Sequence, residues 1–270
     1  MASHIQLRGK RIPVRPLLFS CFFVVLCGTA RGQGVLGSAG EKANVEPRFL
    51  IDIPTAGILH KGEFALDIDF FAGGGMTVGV SAGVLNRFSL GISYGGKRLI
   101  GSDEAKFNKA PGVDVRFRLW DEDVVLPAVV IGFDSQGREA YIDSLDRYTI
   151  KSPGLFAAAS KNYKVLGNLS VHGGVNYSLE REDDDKDLNF FGGAEKTLGR
   201  DISLIAEYDF AFNDSNRRAI GRGRGYLNAG VRWSVGGGFT LGLDFKNLLK
   251  NREQLAVGNR TLRIEFVKVL

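Results

Sequence analysis

From Gly62 to the C-terminus, apolar and polar residues alternate with a period of two. Phe64, Leu66, Ile68 and Phe70 are interleaved with Ala65, Asp67 and Asp69. Phe88, Leu90, Ile92 and Tyr94 are interleaved with Ser89, Gly91 and Ser93, and Val113, Val115, Phe117 and Leu119 with Asp114, Arg116 and Arg118. Leu169, Val171, Val175, Tyr177 and Leu179 oppose Ser170, His172, Gly174, Asn176 and Ser178. Four further runs repeat the rhythm: 202–210, 227–235, 239–246 and 262–266. On their polar faces stand Glu207 and Asp209, then Arg232, then Asp244 and Lys246, then Arg263 and Glu265. Segments 76–85, 124–134, 154–163 and 188–198 fit less cleanly. Successive strand side chains point to opposite faces, so each segment is a strand with one greasy and one polar side. That predicts about twelve strands of roughly ten residues, the length a tilted strand needs to cross a bilayer.

The polar face mixes Gly, Ser and Ala with charges of both signs. Gly weakens a strand whose side chains face bulk water, whereas small residues beside paired charges suit a crowded, wet lumen. The apolar face carries Phe, Leu, Val and Ile, with Tyr94, Trp120, Tyr163, Tyr177, Tyr208 and Trp233 toward strand ends. A lipid-facing band with aromatic girdles has that composition. Links after the second strand alternate short and longer: 85–87 against 95–112, 121–123 against 134–153, 164–168 against a medium 180–187, 198–201 against 213–225, and 236–238 against 247–260. The expected fold is all-β: an antiparallel transmembrane β-barrel of about twelve strands over 62–270, an up-and-down meander with both chain ends in the periplasm. An Arg or Lys facing lipid at midplane costs about 2–4 kcal/mol. Asp67, Asp69, Asp114, Arg116, Arg118, Glu207, Asp209, Arg232, Asp244, Lys246, Arg263 and Glu265 are therefore assigned to the lumen, as the lining of a pore or as a network that fills the barrel.

Ahead of the barrel, residues 1–32 read as a cleaved signal peptide: a basic stretch ending at Arg15, an apolar run from Leu17 to Cys27, and small residues Ala30 and Gly32 before Gln33. The run is too short for a membrane helix. Residues 33–61, with Pro47 and Pro54 and no clean period, are a periplasmic N-terminal segment or a lumen plug. The net charge of +5 equals the five cations of 1–32, so the remainder is neutral and gives no sign of a nucleic-acid partner. Both cysteines, Cys21 and Cys27, lie in that leader, which leaves the exported chain without disulfides.

Chemistry is sparse. Outside the leader the histidines are His60 and His172. Ser170 and His172 share a strand face, but it is the polar one, and no G-x-S-x-G elbow occurs. No catalytic residues, metal site or cofactor are expected. The acidic run 180–187 lacks calcium-loop spacing and reads as a solvated hairpin tip. Arg217, Arg218, Arg222 and Arg224 form a basic, Gly-rich outer loop with an affinity for anionic headgroups or glycans.

The segment Pro54-Thr55-Ala56-Gly57-Ile58-Leu59 with Gly62-Glu63-Phe64 resembles the start of the YjbH-like outer-membrane barrels associated with exopolysaccharide production. Phe88–Gly96, Leu126–Phe133 and Ala157–Lys161 are similar, so the likeness spans about 47–165. It implies an outer-membrane barrel tied to polysaccharide export, with no catalytic residues to carry over. The chain departs from a usual barrel ending, with Leu270 in place of an aromatic. The expected partners are outer-membrane lipid and lipopolysaccharide, the barrel assembly machinery, and exopolysaccharide. The expected role is structural, a narrow pore, or export of polysaccharide or small polar solutes. Two other classes stay open: an outer-membrane lipid hydrolase and a soluble periplasmic β-sandwich binder.

Overall fold

The computed structural model describes residues 37–216, 218–222 and 225–269. The leader reading of 1–32 and the basic-loop residues Arg217 and Arg224 lie outside the described residues. Twelve of the described strands form the wall. They are β1 (Glu63–Phe71), β2 (Gly75–Leu85), β3 (Phe88–Lys97), β5 (Gly112–Trp120), β6 (Ala128–Asp134), β9 (Gly154–Lys164), β10 (Asn168–Tyr177), β11 (Asn189–Thr197), β12 (Ile202–Asp209), β13 (Tyr226–Gly236), β14 (Phe239–Lys246) and β15 (Asn259–Val269). Three short strands belong to the links: β4 (Lys106–Phe107), and the hairpin β7 (Arg138–Ile142) and β8 (Arg147–Ile150). Neighbours in the wall pair antiparallel, and β1 pairs with β15 from Glu63↔Val269 to Phe70↔Leu262, which closes the barrel. Closure leaves no open strand edge.

The two faces differ in kind. Outward residues at mid-strand are apolar and accessible: Ile92 is 58% exposed and Ile131 44%. Inward neighbours such as Arg116 and Asp244 are at most 1% exposed. In water this arrangement would be inside out; hydrocarbon is the solvent that suits it. Aromatics collect at both rims. Trp120, Tyr163 and Trp233 stand near the short-turn end, where Phe266 packs on Phe64 at 6.0 Å and on Phe239 at 4.5 Å. Tyr94, Tyr177 and Tyr208 stand near the other end.

Turn chemistry closes the short end. Gly236, Gly237 and Gly238 between β13 and β14 all have positive φ (99°, 64° and 91°), a run that only glycine adopts without strain. Two links differ from the expected boundaries. β6 begins at Ala128 rather than 124, because Pro127 lacks the N–H that a ladder position needs; Val124 and Val125 project from the turn. The long link 135–153 also carries the β7–β8 hairpin, which the two-residue period did not separate from loop.

Ile92→Arg, at the middle of β3 facing outward, should destabilise the barrel by about 2–4 kcal/mol in lipid. Denaturant unfolding of liposome-reconstituted protein checks it; a change within error would contradict an outward lipid face.

Candidate functional site

Residues 37–61 run inside the barrel, entering and leaving at the short-turn end. At the near end, the Ser38 hydroxyl bonds Glu265 and the Gly40 N–H donates to Ser203 Oγ at 2.9 Å. The segment then climbs to a tight apex at Leu50–Ile53, with Phe49 and Pro54 bridged, and descends to His60 beside Asn86. The wall is cut to fit it. A Cβ at Gly83 would lie 1.9 Å from the His60 carbonyl, and one at Gly193 2.5 Å from Leu50 Cδ1.

The apex is gripped from two sides. One carboxylate, Glu207, accepts the N–H groups of Ile51, Asp52 and Ile53 at 2.9, 3.0 and 3.2 Å, and Asn228 donates to it at 2.8 Å. The carbonyls of Leu50 and Ile51 receive Arg232 at 2.7 Å and Arg263 at 2.9 Å. Backbone groups with no helix or sheet to bond are thereby satisfied by wall charges. Asp52 pairs with Lys246 at 2.7 Å, and the same ammonium reaches Glu139 of the β7–β8 hairpin at 3.2 Å. Between these polar grips, Leu50, Ile51, Ile53, Ala56 and Ile58 pack on inward Val130, Phe156, Phe191 and Ile205 in a buried apolar cluster.

Both limbs are held by β5. Arg116 donates to the carbonyl of Arg48 at 2.8 Å and to that of Gly57 at 3.2 Å, and Arg118 to that of Ala56 at 2.8 Å. The Phe49 ring lies between the guanidiniums of Arg116 and Arg138, each 4.4 Å from its centroid. The closing seam places Asp67 opposite Glu265, a like-charge pair that repels. Arg48 resolves it, reaching Asp67 at 2.8 Å and Glu265 at 3.2 Å. One register step away Asp69 faces Arg263, paired at 2.7 Å. Asp114 pairs with Arg116 and Asp244 with Arg232, while Asp209 takes the Asn189 amide at 2.7 Å.

A residual cavity remains between the inner segment and the wall, lined by β1, β2 and β3 and by residues of several other strands, with about 70 Å³ of space for water. On that measure one water needs about 10–15 Å³, so it holds roughly five.

At the long-loop end, four links meet over buried charges. Arg147 of β8 bonds Asp183 and Asp214, both at 2.6 Å, and Lys151 bonds Asp183 at 2.8 Å. Tyr226 donates to Asp214 at 2.7 Å under the Arg252 guanidinium. The acidic run is therefore only partly a solvated tip: Asp183 and Asp185 are buried, while Glu182, Asp184 and Asp187 are exposed, Asp184 near Arg218. The run supplies counter-ions for cations that its own stretch of chain does not contain. Arg222 lies on the surface beside Glu253.

The Ser170–His172 pairing does not form. Ser170 bonds Asn162, whereas His172 Nδ1 meets the Ser160 hydroxyl at 2.8 Å, and that hydroxyl also accepts the Ala56 N–H at 2.9 Å. Cross-strand register, with His172 opposite Ser160, decides this rather than spacing along one strand. Among the described residues no cluster of His, Cys, Asp and Glu has the makings of a metal site.

No protein-family model and no curated protein sequence matches the chain. Among solved structures it is similar to the KdgM porin, with 11% identity and a TM-score of 0.46 over 77% of this chain and 99% of that one. It is similar also to the NanC porin (8%, 0.41, 77% and 99%) and to the Acinetobacter baumannii outer membrane protein Omp33 (10%, 0.41, 78% and 98%).

Lys246→Met leaves two buried carboxylates without their cation and should cost about 3–5 kcal/mol; adding Asp52→Asn and Glu139→Gln should recover most of it. Unfolding midpoints check both, and equal losses in the single and triple variants would contradict the shared pair. At the loop end, burial raises the Asp214 carboxyl, but the Arg147 hydrogen bond and charge, with Arg252, outweigh it and hold it below its ordinary range. A depressed carboxyl contributes stability above its unfolded pKa, about 4, and that contribution is lost as pH falls through the folded value. Protease cleavage of the outer loops should rise below about pH 4, and Asp214→Asn should be cleaved already at neutral pH. Loops equally resistant in all cases would contradict the ionic cap.

Proposed function

We propose that the chain is an integral outer-membrane barrel, exported by its leader, whose lumen is stoppered by its own residues 37–61 as a plug. A narrow polar passage for ions and small polar solutes remains beside the plug. The observation that carries this reading is the contrast across a single wall: accessible Ile, Leu and Val outside, and a charge-gripped stretch of the same chain inside. An exterior of that kind asks for lipid, so the short-turn rim faces the periplasm, and lipopolysaccharide and the assembly machinery are the fitting partners. A filled eight-stranded barrel has no room for a channel and a sixteen-stranded one has a wide channel; twelve strands with a plug stand between.

A passage roughly five waters in capacity excludes a sugar chain while the plug is seated. Export of a polysaccharide, the role that the YjbH resemblance implies, therefore requires the plug to move. Withdrawal would break the apolar cluster as well as the polar grips, whose wall partners can turn to water or to one another.

The test is current through planar bilayers. Wild-type protein should show small, discrete conductance steps. Arg116→Ser with Arg118→Ser, which removes four hydrogen bonds to the plug backbone, should show larger and noisier ones. Silence from both, with heat-modifiable gel migration proving each folded, would overturn the channel reading.

A further inference from the structure

Resting on the plugged-lumen reading, we infer that the passage beside the plug selects small cations over anions. The cavity is bounded by six carboxylates: Asp67, Asp69, Asp114, Asp134, Glu195 and Glu265. Four guanidiniums share the boundary, from Arg48, Arg138, Arg232 and Arg263. The lining is acidic in balance, although the chain beyond the leader is neutral.

Three of the four cations on this boundary are committed to carboxylates. Arg48 is spent on Asp67 and Glu265, and Arg263 on Asp69 and the plug carbonyls. Arg232 pairs with Asp244, which lies off the cavity, and Arg138 turns its face to the Phe49 ring. Glu195 bonds the Ser203 hydroxyl and has the Arg232 charge nearby, with no guanidinium in ion-pair contact. Asp134 has its guanidinium neighbour, Arg138, only at 4.0 Å. With six carboxylates against four guanidiniums on the boundary, a small cation passing here meets the larger share of charge.

The β2 and β3 side of the lining adds neutral oxygen, and one of its hydroxyls, Ser81, accepts from Arg48 at 3.0 Å. That side consists of Thr77, Gly79, Ser81, Gly91, Ile92 and Ser93. From Thr77 to Ser81 the wall extends about 13 Å at ~3.3 Å per residue. Hydroxyl oxygens can replace part of the water around a cation, and rings of Asp and Glu in a low-dielectric wall favour cations. Gly79 keeps the space open: a Cβ there would make only ordinary contacts, the nearest being Ser93 at 3.5 Å, so a larger side chain would project into the cavity.

The experiment measures reversal potential across a planar bilayer under a KCl gradient, with full-length protein. Wild type should reverse on the potassium side of zero. Glu195→Gln with Asp134→Asn should move the reversal potential toward zero, and Gly79→Leu should abolish the current while the protein still migrates as a folded barrel. Wild-type reversal at zero or on the chloride side would overturn cation selectivity and leave the channel standing. Undiminished current in Gly79→Leu would overturn the assigned route. A silent, folded wild type would overturn the channel, and this inference with it.

Discussion

The structure depends on one electrostatic constraint: a turn of backbone carried into the middle of a barrel must find partners for every N–H and C=O. At the plug apex no helix or ladder supplies them. Glu207 supplies an acceptor for three successive N–H groups, and Arg232 and Arg263 supply donors for the carbonyls beside them. An unpaired buried polar group costs about 1–3 kcal/mol, so the plug can sit at this height only where the wall offers both signs of charge at that spacing. This explains why the interior mixes acids and arginines instead of repeating one sign. It also explains the inward glycines at 83 and 193, where plug and wall approach too closely for a side chain.

The same accounting links the two ends of the molecule. Lys246 holds Asp52 of the plug and Glu139 of the outer hairpin at once, and Arg138 of that hairpin lies on Phe49 of the plug. Beyond them, Arg147 gathers Asp183 and Asp214 from two other loops. Buried ion pairs are weak evidence for raw stability, but removing one partner is costly, so such pairs hold parts in register. A displaced plug would take Asp52 from Lys246 and Phe49 from Arg138, which ties the state of the loops to the state of the lumen.

Much of the wall was legible in the sequence, since a period of two is a local property and lipid outside makes it a strict one. Phe64 to Phe70, or Val113 to Leu119, announce their faces without reference to any other residue. The plug was not legible in that way. Residues 33–61 carry no period, and a backbone N–H accepted by a glutamate 156 residues later leaves no mark in local composition. Arg48 could be understood only once Asp67 and Glu265 were known to face each other across the closing seam. Asp134, Glu139 and Glu195 lay in segments whose alternation was blurred or absent. The acidic run looked like a solvated tip because its counter-ions, Arg147 and Lys151, come from a different loop.

Amide hydrogen exchange at Ile51, Asp52 and Ile53 in lipid-reconstituted protein tests the seated plug most directly. The account predicts that these three amides exchange as slowly as those at mid-strand in β12, and that Glu207→Ala releases them while β12 stays protected. Exchange of all three in the wild type at the rate of free peptide would contradict it.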